Sequence, residues 1–406
     1  MRQLICNDRV YADLRFSERG LVMFIDHLKN DISQYLRSDP RHIYFFWKGR
    51  VAFYALLKAM GVKEGEEVIL PAFTCVVVPN AILYLGAKPV YVDVTEKTYN
   101  MDIDRVSDAI SDRTKVIVCQ NTYGLSSNLD GLKDIADRHG LYTIEDCTHG
   151  FGGTYKGEAN GLTCDAAFFS TQWNKPFSTG IGGFAVVNNG VLAHRLSDLE
   201  KDLVGPTSKE LINLKMLYFV RRYLINDKTY WPLVRIYRWL SRNNLVVGSS
   251  SGEEISSVSM PEGYFKAFSN VQAKEGIKSL SRLPKDLDVR KMTARLYNKV
   301  LADSGKCHVD ESLFDDHSFL KYPLLVKDRA KFMRLAEKHR VALGDWFLSP
   351  LHPIKGDLTP WGYEYGKFPV AECLASHVVN LPTTPSDVGR VVQFLGDHIE
   401  GVMDAR

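Results

Sequence analysis

The sequence predicts an α/β fold: a mostly parallel central sheet flanked by helices, followed by a smaller α+β unit. Three observations carry this. Short apolar runs alternate with helix-period segments from Arg41 to Asn189, the rhythm of strands joined by crossover helices. The apolar runs read as buried strands, as expected for a parallel sheet covered on both faces. Asn121, Asp146 and Ser170 stand at or just past the ends of three runs, and in such sheets the ligand sits at the carboxyl ends of the strands. Each of the three is an ordinary turn residue taken alone; their coincidence at one sheet edge is the signal.

The elements follow in order. After Gly49, residues Val51, Ala52, Ala55, Leu56, Ala59 and Met60 fall on one helical face. EEVILP is a strand ending at Pro71. Thr74 to Leu85 reads as a helix stopped by Gly86. PVYVDV is the next strand, Asp104 to Ile110 a short helix, and TKVIVC a strand. Leu132 to His139 is a helix closed by Gly140, and LYTIED, AAFFS and GFAVV complete the set. From Val191 to Ser259 the rhythm breaks, and it resumes after Leu280. The second unit has a helix over Leu287 to Ala302, a strand at FLKYPLLV, a helix over Arg329 to His339 and a last helix from Asp387. The expected division is an N-terminal segment (1–40), a large domain (41–280) with a helical insertion around 200–260, and a small C-terminal domain (281–406).

Length and composition bound the class. A chain of 406 residues, 45% hydrophobic and 24% charged, has room for a large and a small domain and the balance of a globular protein. A net charge of +3 lacks the strong basic footprint of nucleic-acid binding. Seven scattered cysteines without a CxxC argue against a disulfide framework or zinc site and for a reducing, cytoplasmic setting. The N-terminal MRQLICNDRVYADLRF shows no signal-peptide core, and no apolar stretch of about 18 residues reads as a spanning helix.

The chemistry centres on FFSTQWNKPFSTGIGG, residues 168–183. A lysine between two strands is a solvated charge, a phosphate-binding point charge, or a desolvated amine able to form a Schiff base. The neighbours of Lys175 narrow this. Ser170 offers a hydroxyl and a backbone N–H to an anion. Gly49 and Arg50 open a helix, whose N-terminus is a ready phosphate site, and Arg50 adds a charge-assisted fork. Asp146, ending LYTIED, can pair with a cationic ring nitrogen. No GxGxxG supports a dinucleotide. A phosphate, a ring nitrogen and an aldehyde seeking an amine together describe pyridoxal 5′-phosphate, PLP.

These residues sit in motifs that resemble the DegT/DnrJ/EryC1/StrS sugar aminotransferases. EEVILPAFTC followed by AILYLGAKPVYVDV, then TIEDCTHGFGGTYKG, then FFSTQWNKPFSTGIGG, LHP at 351–353 and FPVAECLASHVVNLP at 368–382 are similar to that family's motifs, in its order and spacing, over nearly the whole chain. The resemblance implies aminotransferase fold type I, PLP as cofactor, and a homodimer with active sites at the interface. It implies transfer of an amino group from glutamate to a keto-sugar, usually nucleotide-linked, in polysaccharide or glycoconjugate biosynthesis. By the same token Lys175 would hold PLP and shuttle the proton, Asp146 would keep the ring nitrogen protonated, His149 would lie beside the cofactor, and Ser170, Gly49 and Arg50 would bind the phosphate. Three positions depart from the family pattern. Lys48, Gly49 and Arg50 stand for Ser-Gly-Thr. Cys75 stands where an aromatic residue stacks on the ring, so either its sulfur or Phe73 takes that place. Phe265 replaces an asparagine lent by the neighbouring subunit, leaving Tyr264 or Lys266 as substitutes.

Two other readings compete. A PLP sugar dehydratase on this scaffold carries histidine in place of the lysine, and Lys175 argues against it. A non-catalytic or regulatory member would bind PLP or a sugar without turnover. The segment 214–240, with Arg221, Arg222, Arg235 and Arg238 and with Trp231 and Trp239, has the composition of a peripheral contact to anionic lipid; the competing reading is an insertion over the dimer or the active-site mouth. The sequence assigns Trp173 no role.

Overall fold

The computed structural model describes residues 20–224, 229, 236 and 252–405. Its centre is a seven-stranded sheet: β1 (Ile43–Phe46), β2 (Glu67–Pro71), β3 (Lys88–Val92), β4 (Thr114–Gln120), β5 (Tyr142–Asp146), β6 (Ala166–Ser170) and β7 (Gly183–Val187). The spatial order is β1-β7-β6-β5-β4-β2-β3. Only β7 runs against the rest, pairing antiparallel with β1 and β6. Strands β4, β5 and β6 are therefore parallel neighbours, and their carboxyl ends bring Gln120, Asp146 and Ser170 to one edge.

The helices are α1 (Gly20–Leu36), α2 (Gly49–Ala59), α3 (Val77–Leu83), α4 (Leu129–His139), α5 (Gly190–Glu200), α6 (Ser208–Phe219), α7 (Asn270–Leu280), α8 (Leu283–Asp303), α9 (Arg329–Lys338), α10 (Pro369–His377) and α11 (Val388–Asp397). Alternation along each strand feeds two faces. Val68, Leu70, Val116 and Val118 pack with α2 residues Val51, Ala55 and Leu56. Ile69, Ile117 and Cys119 pack with Leu132, Ile135 and Ala136 of α4, while Phe169, Phe184 and Val186 pack with Leu28 and Ile32 of α1 and Ile277 of α7. Asn128 caps α4 by accepting from the Gly131 N–H at 3.2 Å, and Gly140 ends it in the left-handed conformation at φ 65°, the geometry for which glycine has no steric penalty.

The C-terminal part has its own core. Strands β8 (Tyr322–Leu325) and β9 (Val378–Leu381) pair antiparallel. Tyr297 and Leu301 of α8, Phe332 of α9 and Phe394 of α11 pack against them. Asp387 caps α11 through the Arg390 N–H at 2.9 Å.

Two sequence expectations change. Asp104 to Ile110 forms two single 3-10 turns, Ile103–Arg105 and Ser107–Ala109, because the segment is too short to repay helix nucleation. The helix expected from Thr74 starts at Val77, since Thr74–Cys75 is extended and pairs in parallel with Leu351–His352. Of segment 214–240, α6 packs Leu214 with Trp47 and Ile181, beside Trp173 and Tyr218. Trp231, Trp239, Arg235 and Arg238 lie outside the described residues. Among the described residues no helix is long and apolar enough to cross a membrane, and no cluster of metal ligands occurs.

Candidate active site

The seven residues expected to act on or hold the cofactor, Gly49, Arg50, Cys75, Asp146, His149, Ser170 and Lys175, line one cavity at the carboxyl edge of the sheet. Gln120, Thr148, Gln172 and Phe347 share its wall.

The loop from β6 to β7 presents Lys175. Its base is closed by the Thr171 N–H to the Gly182 carbonyl (2.9 Å) and the Thr179 N–H to the Thr171 carbonyl (2.7 Å). A Cβ at Gly182 would stand 2.2 Å from Thr179 Oγ1 and 2.4 Å from Thr171 Oγ1, so only glycine fits. From outside, α6 clamps the loop: Tyr218 donates its hydroxyl to the Thr179 carbonyl at 2.6 Å, and its ring meets Trp173 at 5.4 Å. The Arg221 guanidinium lies 4.5 Å over Trp173. Trp173 thus gains a role: it is the loop's anchor to α6. The Lys175 amine is pushed down to about 8, first by burial and then by the Arg50 and Lys321 charges, against the pull of Cys75 and Asp146.

The N-terminus of α2 faces the same cavity. Gly183 and Gly49 touch so closely that a Cβ on Gly183 would lie 2.3 Å from Gly49 Cα, and one on Gly49 would meet Ser170 Cβ and the Phe169 carbonyl at 2.9 Å. This contact sets the helix end against Ser170. Lys48 caps α2 without a side-chain hydrogen bond, so the positive helix end is open to an anion. One neighbour was not foreseen. Glu254, buried on the helical turn Gly252–Ser256, pairs with Arg50 at 2.6 Å and approaches Lys48 at 3.6 Å. Arg50 is thus charge-matched within the chain, and an anion here meets an already organised guanidinium.

At the other end Asp146 is buried and accepts from the Thr148 N–H at 3.0 Å. Burial raises its pKa, opposed by Thr148 and then by the Lys175 charge; such a carboxylate favours a cation beside it. His149 accepts the Tyr123 N–H on Nδ1 at 3.3 Å, and burial, with the Lys175 charge, drives its pKa well below the ordinary value. It is therefore neutral with the proton on Nε2, a donor toward an oxygen. Its ring stacks on Trp346 at 4.8 Å and 3°, and Lys175 Nζ lies 4.5 Å from the centre of that indole. Tyr123 fixes both partners: its hydroxyl donates to the Trp346 carbonyl at 3.0 Å, and its backbone takes φ 57°, a conformation few non-glycine residues adopt outside functional sites.

The open alternatives resolve in part. Phe73 is fully buried and packs on Phe347 at 4.7 Å, whereas Cys75 reaches the cavity. Asn121 turns inward, donating to Glu145 at 2.7 Å, and Gln120 takes its place in the wall. Within the chain Tyr264 donates to the Arg50 carbonyl at 3.1 Å and Lys266 pairs with Glu210 at 2.5 Å, while Phe265 packs near Phe46 and Tyr54. Trp346, Phe347 and Glu254 escaped the sequence reading. The first two stand in DWFL, just before the LHP motif, and the pairing of Leu351–His352 with Thr74–Cys75 carries them to the site.

These groups suit PLP: a helix end and hydroxyl for a phosphate, a buried carboxylate for a ring cation, a neutral histidine donor for a ring oxygen, and an amine poised to be neutral.

The family model of the DegT/DnrJ/EryC1/StrS aminotransferase family matches residues 23–213 and 225–395. The chain is 29% identical to a GDP-perosamine synthase of Caulobacter vibrioides and 27% identical to one of Escherichia coli O157:H7, each over 86% of this chain and 83% of the relative. The crystal structure of a DegT DnrJ EryC1 StrS aminotransferase from Brucella abortus superposes with a TM-score of 0.71 at 20% identity, covering 96% of this chain and 92% of that one; it shares the fold.

Proposed function

The chain belongs to the DegT/DnrJ/EryC1/StrS aminotransferase family, and on that premise we propose that it is a PLP-dependent enzyme moving an amino group from glutamate onto a nucleotide-linked keto-sugar. The observation that supports this most is the convergence of Lys175, Asp146, His149, Ser170 and the Gly49–Arg50 helix end on one cavity. When bound, PLP supplies an aldehyde that condenses with amines and a ring that withdraws electrons from the carbon bearing them.

The chain's own groups do the rest. The Ser170 hydroxyl, the first amides of α2 and the Arg50 charge hold the phosphate end. Asp146 keeps a proton on the ring nitrogen. His149 Nε2–H donates to the ring oxygen. Lys175 would hold the cofactor by its Nζ and would serve as the base that takes the proton from the substrate carbon; a neutral amine is required for both tasks. Phe347 and the Trp346–His149 stack limit water at that nitrogen. A cytoplasmic homodimer with the large domain over 41–280 and the small one over 281–406 belongs to the same reading.

The purified protein should be yellow, and its absorbance should shift when glutamate is added. Nucleotide-linked amino sugars plus 2-oxoglutarate, assayed in reverse, would then identify the sugar. A colourless protein that takes up no PLP refutes the proposal and favours a non-catalytic member.

A further inference from the structure

Lys175 is not the only cation beside the Trp346 indole. Lys321, the residue before β8, holds its Nζ 5.8 Å from the same ring centre. Among the described residues it makes no hydrogen bond and no ion pair. Arg290, on α8, is buried. One of its guanidinium nitrogens donates to the carbonyl of Pro176, the residue after Lys175, at 3.2 Å. Its Nη1 is buried with no hydrogen-bond partner among the described residues. Asp345 acts on Lys321 and Asp286 on Arg290 from a distance, but neither forms an ion pair with them among the described residues.

Buried cations are ordinarily matched by a carboxylate, as Glu254 matches Arg50. Here the buried Arg290 and the half-buried Lys321 have no ion pair among the described residues, and each acts on the next: the Arg290 charge lowers the pKa of Lys321, and the Lys321 charge in turn lowers that of Lys175. A buried guanidinium nitrogen without a partner marks a place where a ligand or water completes the bonding. The ligand that suits it is an anion, and its position says which one. In an amino donor the α-carboxylate is one bond from the carbon that carries the transferred nitrogen, so it must lie within a few ångströms of the reacting centre at Lys175. The phosphates of a nucleotide-linked sugar are separated from the keto carbon by the sugar ring.

We propose that Lys321 and Arg290 form the anion subsite that takes the α-carboxylate of the amino donor. This rests on the assignment of Lys175 as the reacting amine. The open Nη1 of Arg290, whose Nη2 already holds the carbonyl after Lys175, and the point charge of Lys321 take the carboxylate beside the Trp346 indole, and the donor's Cα is then held toward Lys175 Nζ.

The test compares PLP-loaded parent protein with Lys321→Met and Lys321→Arg. Spectral titration with 2-methylglutamate, which has an α-carboxylate but no Cα hydrogen and so cannot turn over, gives a Kd independent of catalysis. 4-Aminobutanoate, which lacks the α-carboxylate, and GDP serve as the other two ligands. Lys321→Met should weaken 2-methylglutamate about tenfold or more and leave 4-aminobutanoate and GDP unchanged, and Lys321→Arg should restore most of the loss. Lys321→Gln serves the same comparison if the methionine variant does not accumulate. Equal weakening of both amines, no weakening, or a loss confined to GDP overturns the subsite. Parent protein that takes up no PLP removes the premise instead, which separates the two failures.

Discussion

Replacing Lys175 with methionine in the cofactor-free protein should stabilise it at neutral pH. Free lysine titrates near 10.5, and the Lys175 amine near 8. The folded chain therefore binds fewer protons than the unfolded chain between those values, and its stability rises with pH across that window. At about 1.36 kcal/mol per unit, the charge costs the fold up to about 3 kcal/mol at pH 7, and roughly 1 to 2 kcal/mol at pH 9.5. Lys175→Met removes that cost, so its advantage over the parent is greatest at pH 7 and shrinks by about 2 kcal/mol toward pH 9.5. Denaturant unfolding of both cofactor-free proteins at the two pH values measures it. A methionine variant less stable than the parent at pH 7, or an advantage that does not change with pH, refutes the claim that burial and the neighbouring cations depress this amine.

Three further outcomes are expected. Gly49→Ala brings a Cβ to 2.9 Å from the Phe169 carbonyl and Ser170; it should cost about 1–3 kcal/mol and lower PLP affinity, read by denaturation and by absorbance titration. Glu254→Gln removes the carboxylate that stands 2.6 Å from the buried Arg50 charge and should cost about 3 kcal/mol, visible as a fall of several degrees in Tm. Asp146→Asn should still bind PLP yet reduce kcat about 100-fold or more, because an amide does not hold the proton on the ring nitrogen.

The sheet was legible because its strands are buried on both faces and each helix between them carries a stop such as Gly86 or Gly140. The same regularity placed Asp146 and Ser170, since a strand's last residue is visible where its apolar run ends. Lys175, Gly49 and Arg50 followed from motif chemistry. The remaining wall was not legible, because Trp346 and Phe347 arrive through the pairing of Leu351–His352 with Thr74–Cys75, far apart in the chain, and such pairing leaves no local pattern. Glu254 was hidden for the same reason: a single glutamate in a polar stretch carries no sign that it will be buried against Arg50. Trp173 is informative in the opposite sense: it does not line the cavity but anchors the loop through Tyr218 of α6 and Arg221 just beyond it.

One nitrogen, Lys175 Nζ, carries the proposed chemistry. Reducing the PLP-loaded protein with borohydride, digesting it and locating the pyridoxyl group by mass spectrometry tests that directly. Lys48 and Lys321 are pushed down to about 8 as Lys175 is, so the choice among lysines is a real one. The label is expected on Lys175; a label on Lys48, Lys321 or any other lysine contradicts the assignment.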